Sequence, residues 1–375
     1  MRGKYERALL SGIICSNCRR DYPPDGAPYR CPVCGGLFDF SSPPPFDPTQ
    51  IQYDLPGLWR YRHTLGLPPQ APVVSLGEGD TPLIWAPAFE REVAWKLDFI
   101  NPSGSFKDRG CAVLTSFLLS RGIQIALEDS SGNAGASFAA YAARAGLQAR
   151  IFIPDSTSGP KRRQIEAYGA QVVRIMGPRS NASAAVHRAV AEEGTVYASH
   201  AYMPFNLMGY ATAAYELVDQ MPEPPGTIIL PVGQGGFLLG LWRGFSALKK
   251  AGLIQKAPAL VGVQARACAP LWALASYGAA GLGWTTEGQT LAEGVRVSLP
   301  LRGDAVLQAV ESSGGQFIAV DEEEILPGRD QLARRGFYVE PTSAIVWNAL
   351  AQVVGRVPEP LVVFLTGCGL KSDTV

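Results

Sequence analysis

The sequence predicts an α/β protein whose parallel-rich sheets are covered by helices, preceded by a small N-terminal module that four cysteines hold together. The main observation is the alternation of strand-like runs with helix-forming segments, which is typical of parallel sheets with helices packed on them. A second is a pair of Cys-x-x-Cys motifs ahead of these runs. The strand-like runs lie at 124–127, 150–153, 172–175, 196–198, 227–232, 260–263, 317–320 and 361–365.

The N-terminal cysteines are Cys15, Cys18, Cys31 and Cys34, in two pairs that twelve residues separate. Four thiolates at this spacing fit a tetrahedral structural zinc site, which predicts a zinc ribbon over residues 1–38. Two disulfides are the alternative. The basic start of the chain is too short for an export signal and precedes no small-residue cleavage site, so we expect a cytoplasmic protein, where reduced cysteines favour metal.

A proline-rich linker is predicted at 39–50 and is expected to be stiff and exposed. The chain has 375 residues, 47% of them hydrophobic, which is enough for substantial cores. Its 33 basic and 33 acidic residues balance, and no apolar window could span a bilayer, so we expect no nucleic-acid and no membrane partner. The three histidines, His63, His187 and His200, are each expected to be ordinary surface or core residues.

One lysine has an informative position. Lys107 follows the Ser/Gly turn at 101–106 and precedes the apolar run 111–119, which predicts a buried helix. A lysine in a first turn is unfavourable against the helix dipole, so helix stability does not explain it. An amine that loses its proton in a partly desolvated pocket can form a Schiff base, and pyridoxal phosphate is the aldehyde cofactor that needs such a lysine. A solvated lysine at a helix start is the alternative.

A phosphate-binding loop is predicted at 233–236, with the sequence Gly-Gln-Gly-Gly. The strand-like run 227–232 precedes it, and a predicted helix at 237–245 follows. Backbone N–H groups at a helix N-terminus cradle a phosphate where glycine lets the chain approach closely. The spacing is not that of a dinucleotide-binding loop, and an ordinary left-handed turn is the alternative.

Two further segments carry polar groups at the ends of predicted elements. Ser130-Ser-Gly-Asn133 opens an alanine-rich helix. It is either an ordinary helix cap or a loop whose amide bonds a cofactor ring oxygen and whose hydroxyl and N–H groups bind an amino-acid carboxylate. Thr366 follows the run 361–365, at the carboxyl end of a predicted strand. There a neutral hydroxyl opposite a pyridine nitrogen would leave that nitrogen largely unprotonated. A strand-ending turn is the alternative.

Together these motifs resemble threonine synthase, a family of fold type II, tryptophan-synthase-β-like pyridoxal phosphate enzymes. The resemblance runs from about Trp59 to Lys371, and the Gly-Ser-Phe-Lys-Asp-Arg-Gly run around Lys107 is specific to that family and its close relatives. It is carried by residues 77–83, 101–110, 130–133, 233–236, 340–344 and 366–371. The resemblance implies a homodimer, a smaller lobe over 99–201 and a larger lobe over 51–98 and 202–375.

The resemblance also implies residue roles. Lys107 would hold the cofactor as a Schiff base, Asn133 would contact its ring oxygen, and Thr366 would face its pyridine nitrogen. The implied cofactor set is Lys107, Phe106, Asn133, Gly233, Gln234, Gly235, Gly236, Phe237 and Thr366. The implied set at a small amino-acid substrate is Ser105, Ser130, Ser131, Asn133 and Ala134.

In threonine synthases this machinery releases phosphate from O-phospho-L-homoserine and adds water at Cβ to give L-threonine, with the cofactor as electron sink. The chain departs from the family pattern at three places. Ala134 stands where threonine is common, the stretch 206–212 lacks the lysine of a Glu-Gly-Gln-Lys-Thr run, and Cys368 replaces a histidine. A related β-replacement or dehydratase/ammonia-lyase enzyme acting on another small amino acid is therefore the alternative function.

The missing lysine would leave a substrate phosphate short of a cation. Lys161, Arg162 and Arg163 are the nearest candidates along the sequence to replace it. A solvated basic face at the start of a helix is the alternative for these three residues.

Overall fold

The computed structural model of the chain describes residues 12–157 and 159–372. The basic start at 1–7, considered above as an export signal, lies outside the described residues. The same holds for residues 8–11 of the predicted ribbon, residue 158 of the predicted smaller lobe and residues 373–375 of the predicted larger lobe. Within the described ranges, no helix is both long and apolar enough to cross a membrane.

The described residues form twelve strands, ten α-helices and several short 3-10 helices. The strands are β1 (Ile13–Cys15), β2 (Phe38–Phe40), β3 (Leu83–Ala88), β4 (Arg91–Lys96), β5 (Ile125–Glu128), β6 (Gln148–Pro154), β7 (Gln171–Ile175), β8 (Val196–Tyr197), β9 (Thr227–Pro231), β10 (Ala259–Ala265), β11 (Gln316–Val320) and β12 (Leu361–Phe364). The α-helices are α1 (Lys107–Ser120), α2 (Asn133–Ala145), α3 (Pro160–Ala167), α4 (Arg179–Glu193), α5 (Phe205–Gln220), α6 (Gly236–Lys250), α7 (Pro270–Tyr277), α8 (Gly303–Ser313), α9 (Glu322–Ala333) and α10 (Pro341–Val353). The 3-10 helices are Pro48–Gln50, Gly57–Thr64, Asp98–Ile100, Arg266–Cys268, Gly278–Trp284, Glu293–Val295 and Gly369–Lys371.

The larger sheet has six strands in the order β11-β10-β9-β12-β4-β3. Every neighbouring pair is parallel except β3 and β4, which form an antiparallel hairpin at one edge. The turn of that hairpin places Phe89 and Glu90 at φ 51° and 60°, the left-handed conformation that a two-residue hairpin turn requires. The sequence analysis did not predict this hairpin, whose strand β3 is partly exposed along most of its length.

The smaller sheet has four strands in the order β7-β6-β5-β8, and all of its pairs are parallel. Helices α2 and α4 pack on β6, and α10 packs on β9, β10 and β11 of the larger sheet. The strands that lie inside the sheets are buried almost throughout, as parallel strands covered by helices must be. The predicted α/β class is confirmed, and all eight predicted strand-like runs are strands.

The cysteine-rich module is packed against the helices rather than standing apart from them. Its strands β1 and β2 pair as an antiparallel hairpin. The Tyr22 ring lies 4.6 Å from that of Phe38 within the module and 5.8 Å from that of Phe205 on α5. The Asp39 carboxylate accepts two hydrogen bonds of 2.8 Å from the Arg243 guanidinium on α6. The module therefore belongs to the same core as the helices α5 and α6.

The predicted linker is not uniformly exposed. Strand β2 continues to Phe40, so the linker begins inside a strand. Phe46 is only 8% exposed, and its ring lies 4.6 Å from that of Tyr215 on α5. Burial of one large aromatic ring contributes enough apolar contact to fix this segment on the core, which is why it does not behave as a free spacer.

Candidate active site

The turn that carries Lys107 is fixed to the chain that follows β12. The Phe106 N–H donates to the Thr366 carbonyl at 3.0 Å, and the Cys368 N–H donates to the Gly104 carbonyl at 3.0 Å. Ser105 and Gly367 pair as an isolated antiparallel bridge between these contacts. Two segments that are far apart in sequence are thus joined, and Lys107 directly follows Phe106, whose N–H contacts Thr366.

The environment of Lys107 favours loss of its proton. Removal of water around the ammonium lowers the pKa of Lys107 to about 8, and Arg179 contributes in the same direction, while Cys111, Glu128 and Glu340 oppose it. A lysine with this pKa is neutral far more often near neutral pH than a lysine with the usual pKa. The neutral amine is the nucleophile that condenses with an aldehyde.

Aromatic rings form a rigid wall beside Lys107. Its Nζ lies 4.8 Å from the centroid of the Phe106 ring. Phe106 stacks on Phe237 of α6, with ring centroids 4.6 Å apart and planes 17° apart. Phe237 in turn meets the edge of Phe364 at the end of β12. The stacking ties the start of α1 to the start of α6.

The glycine loop at 233–236 lies between β9 and α6, as predicted. Gly235 has φ 78°, and a Cβ there would lie 2.4 Å from the Val306 side chain, so only glycine fits. The Gln234 side-chain oxygen accepts a hydrogen bond of 3.0 Å from the Leu301 N–H, which holds the loop against the segment before α8. The N-terminus of α6 thus opens at a narrow glycine turn, the arrangement that binds an anion.

The 130–133 loop connects β5 to α2. The Ser130 hydroxyl accepts a hydrogen bond of 3.3 Å from the Gly132 N–H. Asn133 begins α2, and its Nδ2 donates to Glu340 Oε1 at 2.6 Å. Its Oδ1 is buried and has no hydrogen-bond partner among the described residues. A buried amide oxygen without a donor is rare in a folded protein and marks a position where a ligand donor would be accommodated.

Glu340 is a member of the site that the sequence analysis quoted only as part of a motif. It precedes α10, is buried, and besides Asn133 it contacts Lys161 Nζ at 2.9 Å. Desolvation opposes the charge on Lys161, but the charge of Glu340 and its hydrogen bond raise the pKa of Lys161 above its usual value. A Cβ at Gly367 would lie 2.2 Å from the Glu340 carboxylate, so that position also needs glycine.

Of the three cations considered for a substrate phosphate, the structure brings Lys161 to the site through Glu340. Arg162 instead contacts Glu166 one helical turn away and donates to the Thr157 carbonyl. Thr366 and Ser105 are both buried near Lys107. The Thr366 N–H donates to the Ser343 hydroxyl at 2.8 Å.

A buried ionic network underlies the first turn of α1. Arg109 Nε contacts Asp98 at 2.8 Å, and its Nη1 contacts Glu216 of α5 at 2.5 Å. Lys96 of β4 also contacts Glu216, at 2.8 Å. Although desolvation acts the other way, Arg109 and Lys96 hold the pKa of Glu216 far below its usual value. The network joins β4, α1 and α5 two residues beyond Lys107.

Two polar side chains of α5 were missed by the sequence analysis. Both amide atoms of Asn206 and the hydroxyl of Tyr210 are buried without a hydrogen-bond partner among the described residues. A Cβ at Gly110 would lie 2.7 Å from the Tyr210 ring, and a Cβ at Gly236 would lie 3.6 Å from it. These groups therefore lie between the starts of α1 and α6, in the stretch where the resemblance led us to expect a lysine.

The four N-terminal cysteines converge. All four sulfur atoms lie within 4.8 Å of one another, and the four thiols are free of disulfides. Cys15 Sγ is 3.4 Å from Cys34 Sγ, and Cys18 Sγ is 3.7 Å from Cys31 Sγ. Desolvation would raise the pKa of Cys15, but hydrogen bonds from the N–H groups of Cys18 and Asn17 lower it to about 7. Four such sulfurs match the ligand set of a tetrahedral zinc ion.

Comparison with known proteins places the chain in a class. Residues 74–367 match the family model described as pyridoxal-phosphate dependent enzyme. The chain is 32% identical over 380 residues to threonine synthase of Methanocaldococcus jannaschii, covering 96% of this chain and 92% of that protein. It is 36% identical over 328 residues to threonine synthase of Synechocystis sp., covering 83% and 82%. The chain therefore belongs to the pyridoxal-phosphate dependent enzyme family.

Within that family the chain is a lyase whose similarity to threonine synthases extends over most of its length. Among solved structures, a threonine deaminase from T.th. superposes with a TM-score of 0.64 and 26% identity, covering 76% of this chain and 92% of that one. The predicted family and enzyme class are thus confirmed.

Proposed function

We propose that the chain is a threonine synthase, which converts O-phospho-L-homoserine and water to L-threonine and phosphate. The observation that carries this proposal is the 31–36% identity to threonine synthases over most of the chain. The joining of the Lys107 turn to Thr366 supports it, because it brings two of the motifs that resemble the family into one site.

We further propose that the cofactor lies between Lys107 and the 233–236 loop. Lys107, with its pKa of about 8, would bind the aldehyde, and the N-terminus of α6 with Gly233, Gln234, Gly235 and Gly236 would hold the phosphate. The unpaired Oδ1 of Asn133 supports a contact with a ring hydroxyl. Phe106 and Phe237 would form the wall, and Thr366 would face the pyridine nitrogen. When bound, the cofactor supplies an electron sink for charge at the substrate Cα.

For the substrate, we propose that the loop after β5 holds the carboxylate through Ser130, Ser131, Asn133 and the N–H groups around Ala134. Helix α2 begins at Asn133, so its positive end would face this carboxylate. Ser105, whose buried hydroxyl lacks a partner among the described residues, would complete the pocket. Once free of the aldehyde, the Lys107 amine would move protons at the substrate carbon atoms.

The substrate test compares two reactions on the same purified protein with pyridoxal phosphate present. We expect phosphate release from O-phospho-L-homoserine, with L-threonine as the product, at a kcat/KM at least about 100-fold above that for ammonia release from L-serine or L-threonine. Phosphate release and amino-acid analysis give the first value, and ammonia release gives the second. A higher kcat/KM for ammonia release would overturn the threonine synthase assignment.

That outcome would instead support the second candidate, a dehydratase/ammonia-lyase or β-replacement enzyme acting on another small amino acid. Two observations favour it. Ala134 lacks the hydroxyl that a phosphorylated substrate could use, and the 206–212 stretch carries no lysine. The similarity in fold to a threonine deaminase is compatible with it.

We propose that Cys15, Cys18, Cys31 and Cys34 bind a structural zinc ion. Metal analysis is expected to find about one zinc per chain. Cys31→Ser is expected to lower the zinc content and to reduce the free energy of unfolding by about 2 kcal/mol or more, because Tyr22, which packs on Phe38 within the ribbon, also packs on Phe205 of α5. Cys268→Ser, at a buried cysteine outside the cluster, is the control and should retain zinc. Full zinc in Cys31→Ser would contradict the site.

We also propose lobe boundaries, an oligomeric state, a location and the absence of nucleic-acid partners. A smaller lobe over 99–201 and a larger one over 51–98 and 202–375 are supported by the two separate sheets. We propose a homodimer on the family resemblance, which a sedimentation mass equal to a single chain would contradict. A cytoplasmic location without nucleic-acid partners is supported by the free ribbon thiols and the balanced charge.

A further inference from the structure

Glu128 and His200 form a hydrogen-bonded pair in the small lobe. Their atoms Oε1 and Nδ1 are 2.7 Å apart. The side chain of Glu128 is 1% exposed and that of His200 is 11% exposed. The second carboxylate oxygen of Glu128, Oε2, is buried and has no hydrogen-bond partner among the described residues. A pair that served only to stabilise the core would be expected to satisfy both oxygens, because an unpaired buried oxygen costs stability.

The pair lies at the edge of the small sheet that faces the proposed site. Glu128 is the last residue of β5 and is separated from the 130–133 loop by Asp129 alone, and His200 lies three residues beyond the end of the neighbouring strand β8. Ligands of parallel sheets bind beyond the carboxyl ends of the strands, where both residues lie. The same edge provides the proposed substrate carboxylate loop.

Several charged groups surround the pair. Burial raises the pKa of Glu128 well above its usual value, and Asp129 adds to this effect while Arg179 and Lys107 oppose it. Burial also lowers the pKa of His200 well below its usual value, with Lys107 and Arg179 acting in the same direction. Both shifts favour the uncharged form of each side chain, in which one proton lies between Oε1 and Nδ1. When Glu128 holds that proton, His200 Nδ1 is the acceptor and its Nε2 carries a hydrogen.

We propose that His200 is a catalytic acid and base for the oxygen chemistry of the reaction and that Glu128 is its positioning residue. This inference rests on the proposed function. Lys107 would handle the protons at carbon, and His200 those at the departing and attacking oxygens. This division of roles requires two proton-transfer groups near one substrate. The charge of Lys107 acts on the pKa values of both Glu128 and His200, which supports such proximity.

The proton balance closes over the two halves of the reaction. When the bond between Cγ and the phosphate oxygen breaks, the electron pair leaves on that oxygen, which takes the proton from His200 Nε2. The Glu128 proton moves to Nδ1, leaving a carboxylate and an imidazole with a free lone pair on Nε2. When the oxygen of water then bonds to Cβ, the π bond between Cα and Cβ breaks and its electron pair moves to the Cα side, while one O–H bond of the water breaks and its proton goes to Nε2. The Nδ1 proton returns to Glu128, and the pair is restored.

The experiment uses His200→Asn and Glu128→Gln in the full-length holoenzyme, with His187→Asn as the matched control. His187 is likewise paired through Nδ1, at 2.8 Å from the Tyr29 hydroxyl. His200→Asn is expected to lower kcat for L-threonine formation on the order of 100-fold with little change in KM, and Glu128→Gln about 10-fold. Among the turnovers that remain in His200→Asn, the fraction that ends as 2-oxobutyrate and ammonia rather than L-threonine should rise, because water addition at Cβ has lost its base.

Folding is measured by thermal unfolding, and cofactor affinity is measured by equilibrium titration with pyridoxal phosphate. The cofactor affinity is expected to change less than about 2-fold. An unchanged kcat and product ratio in His200→Asn would overturn the inference. An equal fold-loss of cofactor affinity and kcat would also overturn the inference, because that pattern indicates a Glu128–His200 pair that only stabilises the structure.

Failure of the proposed function gives a different pattern. If the unmodified protein releases no phosphate from O-phospho-L-homoserine, the variants are compared on ammonia release from L-threonine. There His200 would protonate the departing Cβ hydroxyl, so His200→Asn should again lose about 100-fold in kcat. An undiminished kcat in that assay would overturn the role of His200 whatever the substrate.

Discussion

Lys107→Ala is expected to lose the visible absorbance of lysine-bound cofactor and at least about 1,000-fold in kcat. The substitution removes both proposed roles of the Lys107 amine. The amine whose pKa is lowered to about 8 would no longer be present to bind the aldehyde, and the same amine would no longer be present to move protons at carbon. Absorbance spectra of the protein with excess pyridoxal phosphate, together with initial rates, measure both effects.

Lys250→Ala provides the control, because this exposed lysine ends α6 far along the helix from the glycine turn. It should leave the spectrum and the rate unchanged. A Lys107→Ala protein that kept its visible band and its rate would contradict both the proposed Schiff base and the proposed proton transfers. Loss of the band with retained folding is the supporting result, and the folding is checked by circular dichroism.

Arg109→Met is expected to reduce the free energy of unfolding by about 3–5 kcal/mol. Arg109 is fully buried and contacts two carboxylates, those of Asp98 and Glu216. Removing it leaves Lys96 as the remaining cation in contact with Glu216 and leaves Asp98 without its ionic partner, so a buried negative charge loses its compensation. Urea titration followed by fluorescence measures the change in unfolding free energy.

The matched control is Arg150→Ala. Arg150 pairs with Glu193 at a partly exposed position, where solvent screens the interaction, so we expect a loss of less than about 1 kcal/mol. If Arg109→Met were no more destabilising than Arg150→Ala, the network would not be what holds α1 against β4 and α5. Since Arg109 follows Lys107 by two residues, a large loss should also weaken cofactor binding.

The sequence predicts the strands that are covered on both faces better than the partly exposed edge strand β3. The run at 361–365 is apolar throughout, and that at 227–232 is apolar after Thr227, because both faces of these strands are covered. Strands β9 and β12 match the two runs closely. The hairpin β3–β4 was missed although β3 is apolar throughout, because Pro87 argues against a strand when only the sequence is read. The packing of Phe46 on Tyr215 was missed because nothing local to a proline-rich segment indicates its distant partner.

The candidate site likewise contains residues that the sequence could single out and residues that it could not. Lys107, the glycine loop and the 130–133 loop could be singled out because each proposed role resides in a few consecutive residues at a helix start. Glu340 was quoted only as part of a motif, since its contacts with Asn133 and Lys161 come from segments about 200 residues away. His200 was expected to be an ordinary residue, because its partner Glu128 precedes it by 72 positions. Pairings between such distant positions arise only from the topology of the sheets.

Strand β12 lies between β9 and β4, although it begins at Leu361 and β4 ends at Lys96. On the ribosome, β4 and β9 emerge long before the strand that connects them. The larger sheet therefore cannot close during synthesis of the residues that precede Leu361, and the bridge from Ser105 to Gly367 cannot form either. An incomplete nascent chain thus presents Lys107 on a turn that lacks its contacts with residues 366–368, so the proposed binding of the cofactor by Lys107 would have to wait until the sheet has closed.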